Sequence, residues 1–189
     1  DSVTKEYGDV TALDDVSFEI DDEFVVLLGE SGAGKSTLLR CINGLTEPTD
    51  GDIRLDGDSI TRSNADVGMI FQQHNLVEGL SAFANALTGS LNEWSTVRTL
   101  LQQQDEATKT RALEALETVG LLEEANQRVS QMSGGQQQRV GIARAMVQDP
   151  TFVLADEPVA SLDPSSAESV MGYLKKAADL HEVSALVSL

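Results

Sequence analysis

The sequence predicts an α/β fold: a parallel sheet flanked by helices and split by a helical insertion. Three observations carry this expectation. An apolar run, Phe24-Val25-Val26-Leu27-Leu28, passes through a glycine-rich loop straight into a helix pattern. Apolar strand patterns at 67–71, 151–155 and 184–189 are separated from one another by helical stretches. Between the first two of these strands, from about Leu76 to Met132, apolar residues recur at helical spacing. Strands alternating with helices imply a parallel sheet, with ligands bound at the strands' C-terminal ends.

Taken in order, short strands are expected at Ser2–Glu6 and Val16–Ile20. The second rests on the alternation of Val16, Phe18 and Ile20. A helix from Ser36 to about Asn43 closes near Gly44. Ile53–Leu55 is a short strand between the turn signals Asp50-Gly51 and Asp56-Gly57. Val67–Phe71 is an apolar strand. In the helical stretch Ala112, Leu113, Leu116 and Val119 line one face, with Gly120 as C-cap. Thr151–Ala155 is a buried strand. Pro164 opens a helix, with Ser165 and Glu168 read as its capping box. The apolar face of that helix is Ala167, Val170, Met171, Leu174 and Ala178. Ser184–Leu189 is the last strand. There is no internal repeat and no low-complexity segment.

Composition narrows the function classes. The 189 residues suffice for one core with a sizeable insertion, and 41% hydrophobic content fits a globular chain. No apolar stretch approaches the roughly 20 residues of a membrane span. The single cysteine, Cys41, excludes an internal disulfide and is expected in the core. The chain begins at Asp1, so its true start is expected to lie upstream. It carries 31 acidic against 13 basic residues, net charge −18. Such a surface repels phosphate backbones, which argues against nucleic acid as a partner. The acids are scattered along the chain, a distribution suited to a high-salt cytoplasm where screening makes it tolerable.

Two motifs carry chemistry. Gly29-Glu30-Ser31-Gly32-Ala33-Gly34-Lys35-Ser36 fits G-x-x-x-x-G-K-[ST] between a strand and a helix, the context a phosphate-binding loop requires. Its glycines let backbone N–H groups turn inward onto phosphate oxygens. Lys35 reaches the β- and γ-phosphates, the Ser36 hydroxyl ligates Mg²⁺, and the following helix, with Thr37, adds its positive end. The chain is therefore expected to bind a nucleoside triphosphate, ATP. The strand Thr151–Ala155 runs into Asp156 and Glu157. Paired carboxylates at a strand end are usually a solvated turn. Downstream of a phosphate loop they fit a Mg²⁺-shell aspartate, Asp156, and a glutamate, Glu157, that orients and polarises the attacking water. Ser133-Gly134-Gly135-Gln136 opens another helix and exposes N–H groups to an anion, in isolation a weak signal.

Those last residues carry a resemblance. Ser133-Gly134-Gly135-Gln136-Gln137-Gln138-Arg139 resembles the signature motif of ATP-binding cassette (ABC) transporter ATPases, and it stands between the phosphate loop and Asp156 in that family's order. Gln72 resembles the family's Q-loop glutamine, which joins Ser36 and Asp156 at the metal. Ser161-Leu162-Asp163 resembles its D-loop, and Tyr7 the aromatic residue that stacks on adenine. The resemblance spans essentially the whole chain. It implies a P-loop NTPase (RecA-like) core formed by 1–76 and 134–189, with an N-terminal antiparallel β subdomain and a helical subdomain over 77–133. It also implies ATP hydrolysis by head-to-tail homodimers. ATP would lie between the phosphate loop of one copy and Ser133 and Gly135 of the other. Permease subunits, and indirectly a solute-binding protein, would be the further partners, at the cytoplasmic face of the membrane. Gln72 would link the site to the permease surface, where His74, Asn75 and Leu76 follow; His74 by itself reads more readily as a solvated loop residue than as a permease contact.

A narrower likeness is to the ATPase subunits of phosphonate importers. It is carried by Phe71-Gln72-Gln73-His74-Asn75-Leu76-Val77, by Asn85-Ala86-Leu87-Thr88-Gly89, by Gln127-Arg128-Val129-Ser130, and by Glu93-Trp94-Ser95-Thr96-Val97-Arg98. An ABC ATPase for another solute, such as amino acids, or for lipoprotein-type export, remains an alternative. So does a non-transport ABC ATPase, although no coiled-coil insertion supports it. The sequence departs from the family in four places. The switch histidine is expected just after Ser184–Leu189, so the sequence reads as truncated there, and His181, ahead of that strand, does not substitute. Met132 replaces the usual Leu before the signature serine, with little expected effect. Glu30 places a negative charge beside the phosphates. The segment Asp56–Asp66 is shorter than usual.

Overall fold

The computed structural model describes residues 1–21, 23–60, 66–72, 75–90 and 106–189. His74 and the Glu93–Arg98 stretch with Trp94 lie outside the described residues. The strands are β1 (Val3–Tyr7), β2 (Val10–Val16), β3 (Phe24–Leu27), β4 (Arg54–Leu55), β5 (Asp58–Ser59), β6 (Val67–Ile70), β7 (Phe152–Asp156) and β8 (Ser184–Ser188). The helices are α1 (Lys35–Ile42), α2 (Ala82–Leu87), α3 (Glu106–Thr118), α4 (Gly134–Val147) and α5 (Pro164–His181).

The central sheet runs β3-β8-β7-β6, every pair parallel. Side chains alternate across it, as strand geometry demands. Phe152 and Leu154 of β7 and Leu186 of β8 join Leu38, Leu39 and Ile42 of α1, together with Val3 and Leu13 of the β1–β2 ribbon. Val153, Ala155, Ala185 and Val187 face the other way, against α2 to α5. Both faces are therefore covered, which is why these strands read as unbroken apolar runs. Cys41 is buried in the first of these layers, and burial pushes its thiol pKa up, away from reactivity.

Because the pairing is parallel, all four strands end at one edge. Leu27 and Asp156 both pair with Ser188, and Ile70 pairs with Ala155. The phosphate loop, Gln72, Asp156 and Ser188 therefore emerge together, at the edge where an α/β sheet binds ligands.

Two sequence expectations are corrected. The second strand is Val10–Val16, ahead of the expected Val16–Ile20. It pairs antiparallel with β1 through the tight Gly8-Asp9 turn, and Val3↔Val16 is its last pair. Residues 17–20 run past the end of their partner, so their alternation finds no ladder. The helix after Pro164 is capped by Asp163, whose Oδ1 accepts from the N–H groups of Ser165 and Ser166, both at 3.1 Å. With Pro164 at the first helical position, the residue before it is the one placed to cap. Ser165 and Glu168 therefore form no capping box at this helix start. The capping box forms at α4 instead: the Ser133 N–H donates to Gln136 Oε1 (2.9 Å) and the Gln136 N–H to Ser133 Oγ (3.3 Å). Asp56 (φ 52°) and Gly57 (φ 86°) make the tight hairpin between β4 and β5.

The described acids Asp14, Asp15, Asp21, Glu23, Asp56, Asp58, Glu114, Glu117 and Glu123 are all exposed. Their mutual repulsion is screened only by salt. Thermal unfolding monitored by circular dichroism is expected to shift upward by about 10 °C, on the order of 3 kcal/mol, between ~0.1 M and ~3 M KCl. An unchanged midpoint would show that the acids carry no salt requirement.

Candidate nucleotide site

The phosphate loop is shaped by backbone conformations that only glycine adopts without strain. Gly32 and Gly34 have φ of 85° and 86°. A β-carbon on Gly34 would also collide with the Ala12 carbonyl oxygen of β2. That close approach seats the loop against the ribbon carrying Tyr7. Tyr7 is half exposed, with the Lys5 ammonium 5.1 Å from its ring centroid.

Helix α1 begins immediately after Gly34, so Lys35 and Ser36 occupy its first turn. Lys35 is only 8% exposed. Its Nζ donates to the carbonyls of Gly29 (2.6 Å) and Glu30 (3.1 Å) and lies 3.9 Å from Glu157 Oε1. Ser36 Oγ donates to Asp156 Oδ1 at 2.8 Å, across 120 positions of sequence. Glu157 has φ 45°, a left-handed conformation that costs a non-glycine residue about 1–3 kcal/mol. Lys35, Ser36, Asp156 and Glu157 thus converge. Gly29, Glu30, Ser31, Gly32, Ala33 and Thr37 surround them in the loop and α1. Gln72 is exposed, two residues beyond the end of β6 at the same sheet edge.

The expected Mg²⁺ ligands suit that ion: a hydroxyl and a carboxylate are hard oxygen donors, already adjacent. Among the described residues no group of three or more His, Cys, Asp or Glu forms a metal cage.

The signature residues form a separate cluster. Among the described residues no hydrogen bond or ion pair links Ser133, Gly134, Gly135 or Gln136 to the phosphate loop of the same chain. Gly134 instead packs under Leu162 of the D-loop, where an added β-carbon would come within 3.2 Å of Leu162 Cδ2. Ser161 and Asp163 flank that contact. The Ser166 hydroxyl, then the N–H groups of Ser166 and Ser165, hold the Asp163 carboxyl below the usual carboxylate range. Asp163 therefore stays ionised, and its cap intact, until pH falls below that range.

Two further residues went unnoticed in the sequence, and a third, Gln138, was named there only as part of the motif that opens at Ser133. Ser188 is fully buried and donates to Asp156 Oδ1 at 3.1 Å, while its Oγ accepts from the Glu157 N–H at 3.0 Å. Its only sequence signal was a hydroxyl ending an apolar strand. Arg144 of α4 donates to the Asn75 carbonyl at 2.7 Å and so ties the segment after Gln72 to the signature helix. Gln138, one turn into α4, is fully buried, and neither amide atom has a hydrogen-bond partner among the described residues. Each such atom costs on the order of 1–3 kcal/mol.

Comparison with known proteins identifies the family. The ABC transporter family model matches residues 13–160. The phosphonates import ATP-binding protein PhnC 2 of Haloquadratum walsbyi is 77% identical over all of this chain and 67% of its own length. That of Halobacterium salinarum is 67% identical over 98% of this chain and 66% of its own length. This chain thus spans about two thirds of the length of these relatives. A dimeric ATP-binding cassette solved in a post-hydrolysis state with ADP and Pi superposes with a TM-score of 0.79, at 35% identity, over 99% of this chain and 85% of that one. A nucleotide-free cassette from an ABC transporter shares the fold, with a TM-score of 0.85 at 24% identity, over 99% of this chain and 78% of that one. The match over most of the sequence and over nearly the whole fold places this chain in the ABC transporter family, as an ATP-binding cassette.

Proposed function

We propose that the chain is the ATP-binding and ATP-hydrolysing part of a subunit that energises import of phosphonates or a related oxyanion. The observation that carries the hydrolase reading is the junction of Ser36 and Asp156 at 2.8 Å, beside Lys35 and Glu157. The names of the haloarchaeal relatives support the solute class.

On this reading the loop N–H groups from Gly29 to Ser36 and the N-terminus of α1 cradle the phosphates, while Tyr7 stacks on adenine. Lys35 exchanges its carbonyl partners for β- and γ-phosphate oxygens. Ser36 and Asp156, with Gln72, hold Mg²⁺, which when bound neutralises charge on the β- and γ-phosphates. Glu157 accepts a hydrogen bond from the attacking water and orients it in line with the γ-phosphate. Ser133 and Gly135 of a second, head-to-tail copy close over the same nucleotide, and the D-loops of Ser161, Leu162 and Asp163 meet between the copies. Residues 1–76 and 134–189 form the nucleotide core, and 77–133 the helical subdomain that faces a permease at the cytoplasmic side of the membrane. Among the described residues no helix is long and apolar enough to cross a membrane, which fits a peripheral position beside a separate permease.

The test uses the full-length protein at high salt, reconstituted with its permease and solute-binding protein. ATPase activity is measured with alkylphosphonates, phosphite and amino acids in turn. Stimulation by a phosphonate or phosphite alone is expected. Stimulation by an amino acid, or by none, would discard the solute class.

A further inference from the structure

We infer that Ser188 is a positioning residue for hydrolysis, fixing the metal-side carboxylate and the water-orienting glutamate with a single oxygen. The inference rests on the ATPase reading above. Ser188 ends β8, in direct register with Asp156 of β7 and Leu27 of β3. It is therefore the side chain of the central strand nearest both the phosphate loop and the carboxylates. It has no exposed surface.

The bonding capacity of one hydroxyl suits this role: one proton to donate and two lone pairs. The proton has two candidate acceptors, Asp156 Oδ1 at 3.1 Å and the Ala155 carbonyl at 3.4 Å; the carboxylate is both nearer and charged. A lone pair accepts the Glu157 N–H at 3.0 Å. Asp156 Oδ1 thus receives two hydroxyls, Ser36 and Ser188, which fix its rotamer. The Glu157 N–H bonds to a side chain instead of a ladder carbonyl just where the chain turns left-handed at φ 45°. The contact with Ser188 holds that strained turn in place, and with it the direction in which the Glu157 carboxylate leaves the strand.

Removal of the hydroxyl would leave Asp156 and the Glu157 backbone each short of a partner, in a site where misplacement by ~1 Å costs about 100-fold in rate. In the full-length protein, Ser188→Ala is expected to lower kcat about 10- to 100-fold, with the Kd for ATP, measured in EDTA and again in Mg²⁺, within about threefold of wild type. Ser188→Thr keeps the hydroxyl and is expected to retain kcat within about threefold. In a Glu157→Gln background, Ser188→Ala is expected to lower the residual rate by a smaller factor than in wild type, because the part of its effect that runs through Glu157 is already lost. If Ser188→Ala does not fold, Ser188→Cys preserves the volume while weakening both bonds, and it is expected to show the same kcat loss. A Ser188→Ala or Ser188→Cys enzyme with wild-type kcat overturns the inference. So does a loss that is undiminished in the Glu157→Gln background, or one that Ser188→Thr does not restore. A wild-type protein that binds ATP but does not hydrolyse it overturns both this inference and the ATPase reading, and is distinguished by that result alone.

Discussion

Glu157→Gln is expected to lower the ATPase kcat of the full-length protein by about 1000-fold, within the 10²–10⁴ range of a positioned general base, while ATP binding is kept or strengthened. The reasoning is electrostatic. Glu157 lies 3.9 Å from the Lys35 ammonium, in a position that also faces the γ-phosphate on the proposed reading. The amide has nearly the same shape, so packing is undisturbed, but it cannot draw a proton from water. It also removes a negative charge that opposes the nucleotide's own. Steady-state hydrolysis and equilibrium ATP binding in molar KCl separate the two effects, and a kcat within about tenfold of wild type would move the water-orienting role to another residue. Glu157→Gly is expected to be equally inactive yet more stable by about 1 kcal/mol, because glycine adopts φ 45° without strain. Higher stability with lost activity would show that the left-handed turn is held for function.

Lys35→Ala is expected to weaken ATP binding about 30-fold and to lower kcat/KM by about 1000-fold, since charge-assisted bonds to phosphate are worth about 1.5–3 kcal/mol each and strengthen as charge develops. Lys35 is buried in the loop and already oriented by the Gly29 and Glu30 carbonyls. Little ordering is therefore required when phosphate oxygens replace them. Lys35→Arg is expected to fail almost as badly, because a planar guanidinium does not fit a cradle sized for a point charge. Fluorescent-nucleotide titration together with ATPase assays checks both variants. An Arg variant with wild-type affinity would show that the loop reads charge alone.

Local chemistry was legible in the sequence. The phosphate loop was readable because its glycines, lysine and serine act within eight consecutive residues, and a turn of that shape permits few other sequences. The strands Phe24–Leu27, Val67–Ile70, Phe152–Asp156 and Ser184–Ser188 were readable because burial on both faces makes them continuously apolar. Where a signal was shared between two readings, the sequence misled. Val16, Phe18 and Ile20 alternate as a strand would, but the partner strand ends opposite Val16. Ser165 and Glu168 have capping-box spacing, but the carboxylate of Asp163 reaches the free N–H groups first.

By itself, then, the sequence determined the phosphate loop, the strand-end carboxylates and the α/β alternation, because each depends on neighbours a few positions away. The register of β8 against β7 was decided only by the tertiary structure. A shift of one residue would have turned Ser188 to the opposite face of the sheet, away from Asp156 and Glu157. Tertiary packing also decided that Ser36 meets Asp156 and that Gly134 lies beneath Leu162. Contacts between residues so far apart in sequence follow from how two layers of helices close over a sheet, and no local pattern of residues encodes that closure.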